Sequence, residues 1–192
     1  PLALVVLSLL AEEPMHAYRM QRMLTERRKD QVANIAQRNS VYQTIDRLQR
    51  SDLIRVRETA RDERRPERTV YEITDEGSAT FREWMSSTLA KPAREYPIVP
   101  AALAEVALLS PAEVLAPLEE RAAALAARLD AMAAELAGAP PLPRVLLLEH
   151  EYERTVVEAE LGWVRAVIDD LRGGALSWTE QQMRTLAAAE DG

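Results

Sequence analysis

Hydrogen-bonding and cationic side chains are concentrated between residues 38 and 68 of this 192-residue chain. Guanidinium forks, amides and hydroxyls bind phosphate oxygens and the edges of bases, so the pattern is typical of contact with nucleic acid. Residues 38–68 contain nine arginines and six acidic residues, a net charge of +3. The candidate DNA-contacting residues are Arg38, Asn39, Ser40, Tyr42, Gln43, Thr44, Arg47, Arg64, Arg65 and Arg68.

The overall charge of −7 is unusual for a nucleic-acid binder, but it is unevenly distributed. Residues 1–90 carry 15 basic and 14 acidic side chains, a net charge of +1. Residues 91–192 carry 9 basic and 17 acidic side chains, a net charge of −8. The acidity therefore belongs to the second half, and the candidate DNA-contacting segment is locally positive.

Helices and strands alternate in the first half in an order that would place these residues on one surface. The patterns predict helices over residues 2–11, 15–28 and from Ser40, and strands over residues 53–57 and 69–73. The third helix has an apolar face of Val41, Ile45 and Leu48, with Ser40 as its N-cap. A charged loop over residues 58–68 joins the strands, and Thr74 opens a further helix. This order predicts a winged helix-turn-helix, whose third helix enters the DNA major groove.

The second half is predicted to be helical throughout. Ser110-Pro111-Ala112-Glu113 is a helix start, and apolar residues recur after it with spacings of three and four. A second long helix over residues 143–172 follows Gly138, and Gly173-Gly174 ends it. An αα-hairpin of this kind leaves apolar surface exposed and favours dimerisation. The candidate dimer-interface residues are Leu118, Leu125, Leu129, Met132, Tyr152, Val156 and Trp163, although the seam could equally be internal to one chain.

The whole chain is therefore predicted to be mainly α with an α+β wing. We predict a winged helix-turn-helix DNA-binding domain over residues 1–90 and a helical dimerisation domain over residues 111–192. Residues 91–110 are the expected linker, because the prolines at 92, 97 and 100 should interrupt any helix.

Three motifs resemble the PadR family of transcriptional regulators. His16-Ala17-Tyr18 resembles the element that opens its second helix, and Ser40 to Leu48 is similar to its recognition helix. Val70 to Gly77 resembles its second wing strand and the turn beyond. The two-helix C-terminal region, including residues 148–151 and Trp163, resembles the longer-tailed members. The resemblance implies a homodimeric repressor or activator that binds double-stranded DNA at a pseudo-palindromic operator, in some members released by a small molecule.

Two positions depart from the family pattern. Ser51-Asp52 stands where the family usually has a glycine that ends the recognition helix, and aspartate accepts the left-handed conformation better than most residues. Ala17 replaces a glycine at the start of the second helix, where an ordinary helical backbone suffices. Neither change alters the predicted fold.

Some of these residues have a second interpretation. From the sequence alone, Tyr42 is placed in the core more readily than on DNA, whereas the resemblance implies a phosphate contact through its hydroxyl. The wing arginines alternate with Asp62, Glu63 and Glu67, so they could pair within the loop. Trp84, Tyr96, His150 and Trp163 could line a pocket for a small aromatic or amphiphilic effector, but an internal packing role is the stronger interpretation.

Enzymatic function has little support in the sequence. It contains no cysteine and two histidines, and no nucleophile elbow or phosphate-binding glycine loop is recognisable, so neither a metal site nor a cofactor is expected. The apolar run over residues 2–11 is too short to cross a membrane, and we expect a cytoplasmic protein with no membrane partner. The alternative function is a non-enzymatic protein-interaction module that uses the same winged helix and helices as a scaffold.

Overall fold

The structure, a computed structural model, describes residues 1–27, 29, 39–62, 65–138 and 140–190. The side chains of residues 39, 59–62, 65–68, 184, 186–188 and 190 lie outside that description. The chain divides into two compact units, Pro1–Arg94 and Glu95–Gly192.

The first unit consists of helices around one apolar core, with a small sheet at one side. Its elements are α1 (Leu2–Glu12), β1 (Met15–His16), α2 (Ala17–Glu26), α3 (Asn39–Arg50), β2 (Ile54–Asp62), β3 (Arg65–Ile73) and α4 (Asp75–Ala90). The core joins Val6 and Leu7 of α1, Met20 and Leu24 of α2, and Ile45 of α3, all of them buried. Because the apolar residues of α3 complete this core, the helix must turn its polar residues outward.

The sheet has three strands, in the order β1-β3-β2, and both pairings are antiparallel. The predicted helix over residues 15–28 is therefore wrong at its start, because Met15 and His16 pair with Tyr71 and Val70 of β3. Helix α2 begins at Ala17, and the Nδ1 atom of its N-cap residue His16 accepts a hydrogen bond from the Arg19 backbone N–H at 3.0 Å. Two residues of strand leave too short a period-two pattern to be recognised in the sequence.

The two long strands also extend further than predicted. The expected loop over residues 58–68 is wrong for most of its length, since Glu58 pairs with Val70, Thr59 with Thr69 and Ala60 with Arg68. The register shifts between Val56 and Glu58 and again between Ala60 and Asp62, as at a β-bulge. Backbone hydrogen bonds form the ladder whatever the side chains, so charged residues do not end a hairpin.

The second unit is helical. Its elements are α5 (Ile98–Ala104), a 3₁₀ turn (Val106–Leu108), α6 (Pro111–Ala137), a second 3₁₀ turn (Arg144–Leu146), α7 (Leu148–Gly173) and α8 (Glu180–Glu190). The predicted capping box at the start of α6 is confirmed, with both the Ser110 and Glu113 side chains engaged. Helix α5 forms despite the prolines, because Pro97 is its N-cap and Pro100 lies in its first turn, where a backbone N–H has no helical partner. The architecture is thus the predicted mainly α fold, a winged helix-turn-helix with a C-terminal helical region.

Helices α6 and α7 pack against each other as an antiparallel hairpin. Val114, Leu118 and Leu125 of α6 are buried against Val157, Leu161, Val164 and Ile168 of α7. Ion pairs along the hairpin join Arg121 to Glu160, Arg128 to Glu153, and Arg172 Nη2 to Glu119 Oε1 at 2.7 Å. These pairs match basic residues of one helix to acidic residues of the other.

The hairpin corrects four of the seven residues predicted for the dimer interface. Leu118, Leu125 and Leu129 pack inside the hairpin, and Met132 is buried within the chain, so this part of the seam is internal. Tyr152, Val156 and Trp163 lie instead on an exposed side of α7. Spacing alone could not separate the two cases, because an apolar stripe looks the same whether its partner belongs to the same chain or to another.

Candidate nucleic-acid interface

Helix α3 has one face in the core and one in solvent. Val41, Ile45 and Leu48 are buried, whereas Gln43 and Arg47 are exposed. Tyr42 is 48 % exposed, which disagrees with the interpretation of its side chain as core. The exposed face therefore offers an amide, a phenol and a guanidinium to a ligand, and these groups can bind base edges and phosphates.

Thr44 does not belong to that face. Its side chain is 5 % exposed and lies in the stripe formed by Val41, Ile45 and Leu48, so the prediction that it faces DNA is wrong. A threonine can take a buried helical position because its methyl group packs while its hydroxyl can bond to the preceding turn. Ser40 is half-buried and lies one residue inside α3, which begins at Asn39, so it is not the predicted N-cap.

The cationic groups of α3 are in its last turn. Arg47 and Arg50 are both exposed there, and Arg50 Nε donates to the Asp46 backbone carbonyl at 3.3 Å. Positive charge near a helix C-terminus interacts favourably with the helix dipole, so these two arginines stabilise α3 in the free protein. Their guanidinium groups can also contact a ligand bound along the exposed face of α3.

Tyr71 of the wing strand β3 lies close enough to Tyr42 and Asp46 of α3 to be affected by their charges. Burial raises the pKa of the half-buried Tyr71 phenol above its ordinary value, and the nearby Asp46 and Tyr42 raise it further. Tyr71 therefore stays protonated at neutral pH and can donate a hydrogen bond.

The turn after α3 determines how that helix is presented. Asp52 has a φ of 55°, in the left-handed region, and its backbone N–H donates to the Gln49 carbonyl at 3.0 Å. The Leu53 N–H donates to the Leu48 carbonyl at 3.0 Å, and Thr74 Oγ1 donates to the Asp52 carbonyl at 2.7 Å. The chain thus reverses immediately after α3 and is tied to the start of α4, as expected from the tolerance of aspartate for this conformation.

Gly77 allows the same turn to pack closely on α4. A Cβ atom added at Gly77 would lie 1.9 Å from the Leu53 carbonyl oxygen, so that position accepts only glycine without a shift of the backbone. The Gly77 N–H donates to Thr74 Oγ1 at 2.9 Å, which confirms Thr74 as the N-cap of α4. Together these contacts fix the end of α3 against two other elements.

The base of the wing carries charge that is partly neutralised. Arg55 Nε lies 2.8 Å from Glu72 Oε1, and Arg57 Nε lies 3.9 Å from the other oxygen of the same carboxylate. Arg38 and Arg64 lie outside the described residues, as do the side chains of Asn39, Arg65 and Arg68. Their predicted contacts with DNA, and the alternative pairing with acids of the wing, therefore stay predictions.

In the second unit, α7 presents an apolar surface that its own hairpin does not cover. Tyr152 is 75 % exposed, Val156 48 % and Trp163 47 %, and their spacing of four and seven places them on one side of the helix. Large apolar side chains grouped on one side of a helix are typical of an association surface. We refer to these three residues as the outer face of α7.

Two of the residues predicted to form an effector pocket, His150 and Trp163, lie far apart within the second unit. His150 and Trp163 are thirteen residues apart on α7, which corresponds to about 20 Å along the helix. Tyr96 is exposed, and Trp84 belongs to the first unit. Trp163 is the member of the set that lines a cavity within the second unit. Aromatic residues in an amphipathic sequence do not reveal which of them share a cavity, because that depends on how the helices pack.

The described residues include no group of three or more potential metal ligands, and none of their helices is both long and apolar enough to span a bilayer.

Residues 6–83 match the model of the transcriptional regulator PadR-like family. The matched segment includes the second half of α1, then α2, α3, both long strands and the first half of α4, and so contains the whole candidate interface. No curated protein matches the chain.

Several solved structures are similar over nearly the whole chain. Bacillus subtilis PadR in complex with operator DNA is 15% identical, with a TM-score of 0.66 over 88% of this chain and 98% of its own. The same protein in complex with p-coumaric acid is 15% identical, with a TM-score of 0.66 over 89% of this chain and 95% of its own. A PadR-like transcriptional regulator from Bacillus cereus is 15% identical, with a TM-score of 0.56 over 88% and 94%.

At this level of identity the structural likeness shows the fold, which these regulators share with both units of the chain. The sequence similarity to the family extends over residues 6–83, which coincide with the winged helix-turn-helix. Residues 6–83, fewer than half of the chain, are similar to the PadR-like family of transcriptional regulators.

Proposed function

We propose that this protein is a homodimeric, sequence-specific DNA-binding repressor whose α3 helices read a pseudo-palindromic operator. The observation that carries the proposal is the exposed face of α3, where Tyr42, Gln43 and Arg47 point away from the core of a winged helix-turn-helix. Arg47 and Gln43 are the candidates for base contacts, because their planar groups form paired hydrogen bonds with guanine and adenine respectively. Ser40 and the arginines of the wing would bind phosphates.

The proposed assembly uses the second unit, with residues 91–110 as its connection to the DNA-binding domain. The outer face of α7 is the dimer surface, because apolar side chains exposed in one copy are buried when two copies meet. A two-fold dimer binds half-sites separated by one turn of DNA, about 10 bp, or a multiple of it. The acidic second unit would keep non-specific contact with DNA low, since its net charge repels phosphates.

Repression and release by an effector complete the proposal. A dimer bound across a promoter in the cytoplasm excludes the transcription machinery, and it needs no catalytic group to do so. Bacillus subtilis PadR, which has the same fold, has been solved both with operator DNA and with p-coumaric acid. That pair supports a small-molecule effector for this chain as well.

The proposal is tested by selecting bound fragments from genomic DNA and then measuring operator affinity for two variants. Arg47→Ala should weaken operator binding by about 1–3 kcal/mol, while Arg82→Ala, an equal charge change at an exposed position on α4, should leave it nearly unchanged. Titrations at several salt concentrations separate base reading from phosphate contact, because loss of a phosphate contact flattens the salt dependence. A dimer that selects no fragment, or equal losses in the two variants, would contradict the proposal.

A further inference from the structure

The second unit contains a cavity of about 440 Å³ that the DNA-binding function does not use. Three separate parts of one chain line it: the segment with Leu103 and Val106, residues of α6 and α7, and the segment that leads into α8. This volume falls within the range of sites that hold drug-sized molecules. The cavity is thus large enough for a ligand of two or three rings.

The lining is apolar, with Val167, Leu171 and Trp163 of α7 on one side and Trp178 on another. No lining residue that the structure describes carries a charge, and Ser177 contributes the one hydroxyl among them. A carboxylate placed here would lose its hydration without gaining a cationic partner, which is costly. The lining therefore selects against charged ligands.

Trp178 fixes one wall of the cavity. Its Nε1–H donates to the Leu109 backbone carbonyl at 2.7 Å, which joins the segment before α8 to the segment before α6. Because this hydrogen bond uses the polar atom of the indole, the ring offers its apolar surface to the cavity. The wall is therefore held in place by the protein itself rather than by an occupant.

Trp163 belongs both to the cavity and to the outer face of α7. A molecule in the cavity would contact a residue of the proposed dimer surface directly. We propose that this cavity binds an uncharged, largely apolar small molecule, and that this molecule is the effector. The effector role rests on the proposed function, whereas binding itself does not require DNA.

The test uses two probes with the same ring skeleton, neutral N-phenylnaphthylamine and its anionic counterpart anilinonaphthalene sulfonate. In the absence of DNA, the full-length protein should bind one neutral probe per chain, with probe emission sensitised by tryptophan. The neutral probe should bind at least about tenfold more tightly than the sulfonate. Equal affinities, or no saturable binding of the neutral probe, would overturn the proposal.

Two variants locate the probe, and one serves as the matched control. Ala107→Phe adds a ring to a lining residue and should weaken binding of the neutral probe about tenfold or more, whereas Ala101→Phe, at an exposed residue of α5 outside the lining, should not. Ser177→Lys places a cation at an exposed lining position and should raise the affinity for the sulfonate, independently of any packing change caused by Ala107→Phe.

These measurements separate the site from the DNA-binding function. If operator binding fails but the probe titrations give the expected order, the cavity site stands and the proposed function falls. If Ala107→Phe and Ala101→Phe bind the neutral probe equally while Ser177→Lys leaves the sulfonate affinity unchanged, the probe is elsewhere and the cavity site falls. Release of operator DNA on addition of the neutral probe, absent in Ala107→Phe, is the expected result for an effector.

Discussion

In the first unit, the backbone of one element lies directly against the backbone of another, whereas in the second unit two long helices meet through their side chains. Gly77 shows the first arrangement, since its Cα faces the Leu53 carbonyl so closely that no Cβ fits. Leu125 and Val157 show the second, because they lie within one apolar cluster between α6 and α7. The contrast explains why α3 is held in a fixed orientation by three elements, while the hairpin depends on matched surfaces.

The exposed helix faces of the two units differ in polarity. Helix α3 turns an amide and guanidinium groups outward, and water satisfies the hydrogen-bonding capacity of these groups. Helix α7 turns Tyr152, Val156 and Trp163 outward, and water is a poor partner for them. The exposed face of α3 is therefore stable in contact with water, whereas the exposed face of α7 favours contact with a second apolar surface.

The largest effects are expected when a charged residue is placed inside the α6–α7 hairpin or on the outer face of α7. Leu125→Asp should lower the free energy of unfolding of the second unit by at least about 4 kcal/mol, because it removes a buried side chain and buries a carboxylate. Val156→Asp should leave that unit folded but separate the dimer into monomers, since Val156 is half-exposed on the outer face of α7. Circular dichroism and sedimentation measure the two results separately.

Thr155→Asp is the matched control for Val156→Asp. It adds the same charge at an exposed neighbouring position, about 100° around the helix, and should remain dimeric. If Val156→Asp sediments as the native protein does, the outer face of α7 is not the dimer surface.

Smaller changes in the free energy of unfolding, opposite in sign, are expected when two glycines are replaced by alanine. Gly77→Ala should lower the free energy of unfolding of the first unit by about 3 kcal/mol, because the added Cβ meets the Leu53 carbonyl oxygen. Gly162→Ala should raise that of the second unit by about 1 kcal/mol, because it lies within α7 with nothing within 4 Å of an added Cβ. Denaturant titrations followed through Trp84 and through Trp163 with Trp178 distinguish the units. Equal shifts of the same sign would contradict the contrast between backbone and side-chain contact.

The smallest effect is expected at the turn after α3. Asp52→Gly should stabilise the first unit by about 1 kcal/mol, because its φ of 55° is costly for a residue with a Cβ atom. Ser51→Gly is the control: it lacks a positive φ and should not stabilise the protein. Thermal unfolding measures both variants, and a gain for Ser51→Gly equal to that for Asp52→Gly would show that the left-handed turn is not the cause.

Local sequence patterns predicted the elements well wherever a helix has a marked start or end. Thr74 and Ser110 are N-caps as expected, and Gly174, with a φ of 74°, ends α7. Capping is decided within four residues, so it can be read from the sequence. The pairing of Met15 with Tyr71 is not local, and the burial of Thr44 depends on how α3 lies against the core. Both were therefore missed.

The sequence by itself determined the order of the elements other than β1 and α5, the separation of charge between the two halves and the amphipathic character of α3 and α7. These properties depend on periodicity and composition, which folding does not change. The tertiary structure decided which apolar stripe of the hairpin is internal, which aromatic residue lines the cavity and why position 77 must be glycine. An apolar residue carries the same sequence signal whether its neighbour is a helix of the same chain, a second copy or a ligand, and only packing distinguishes them.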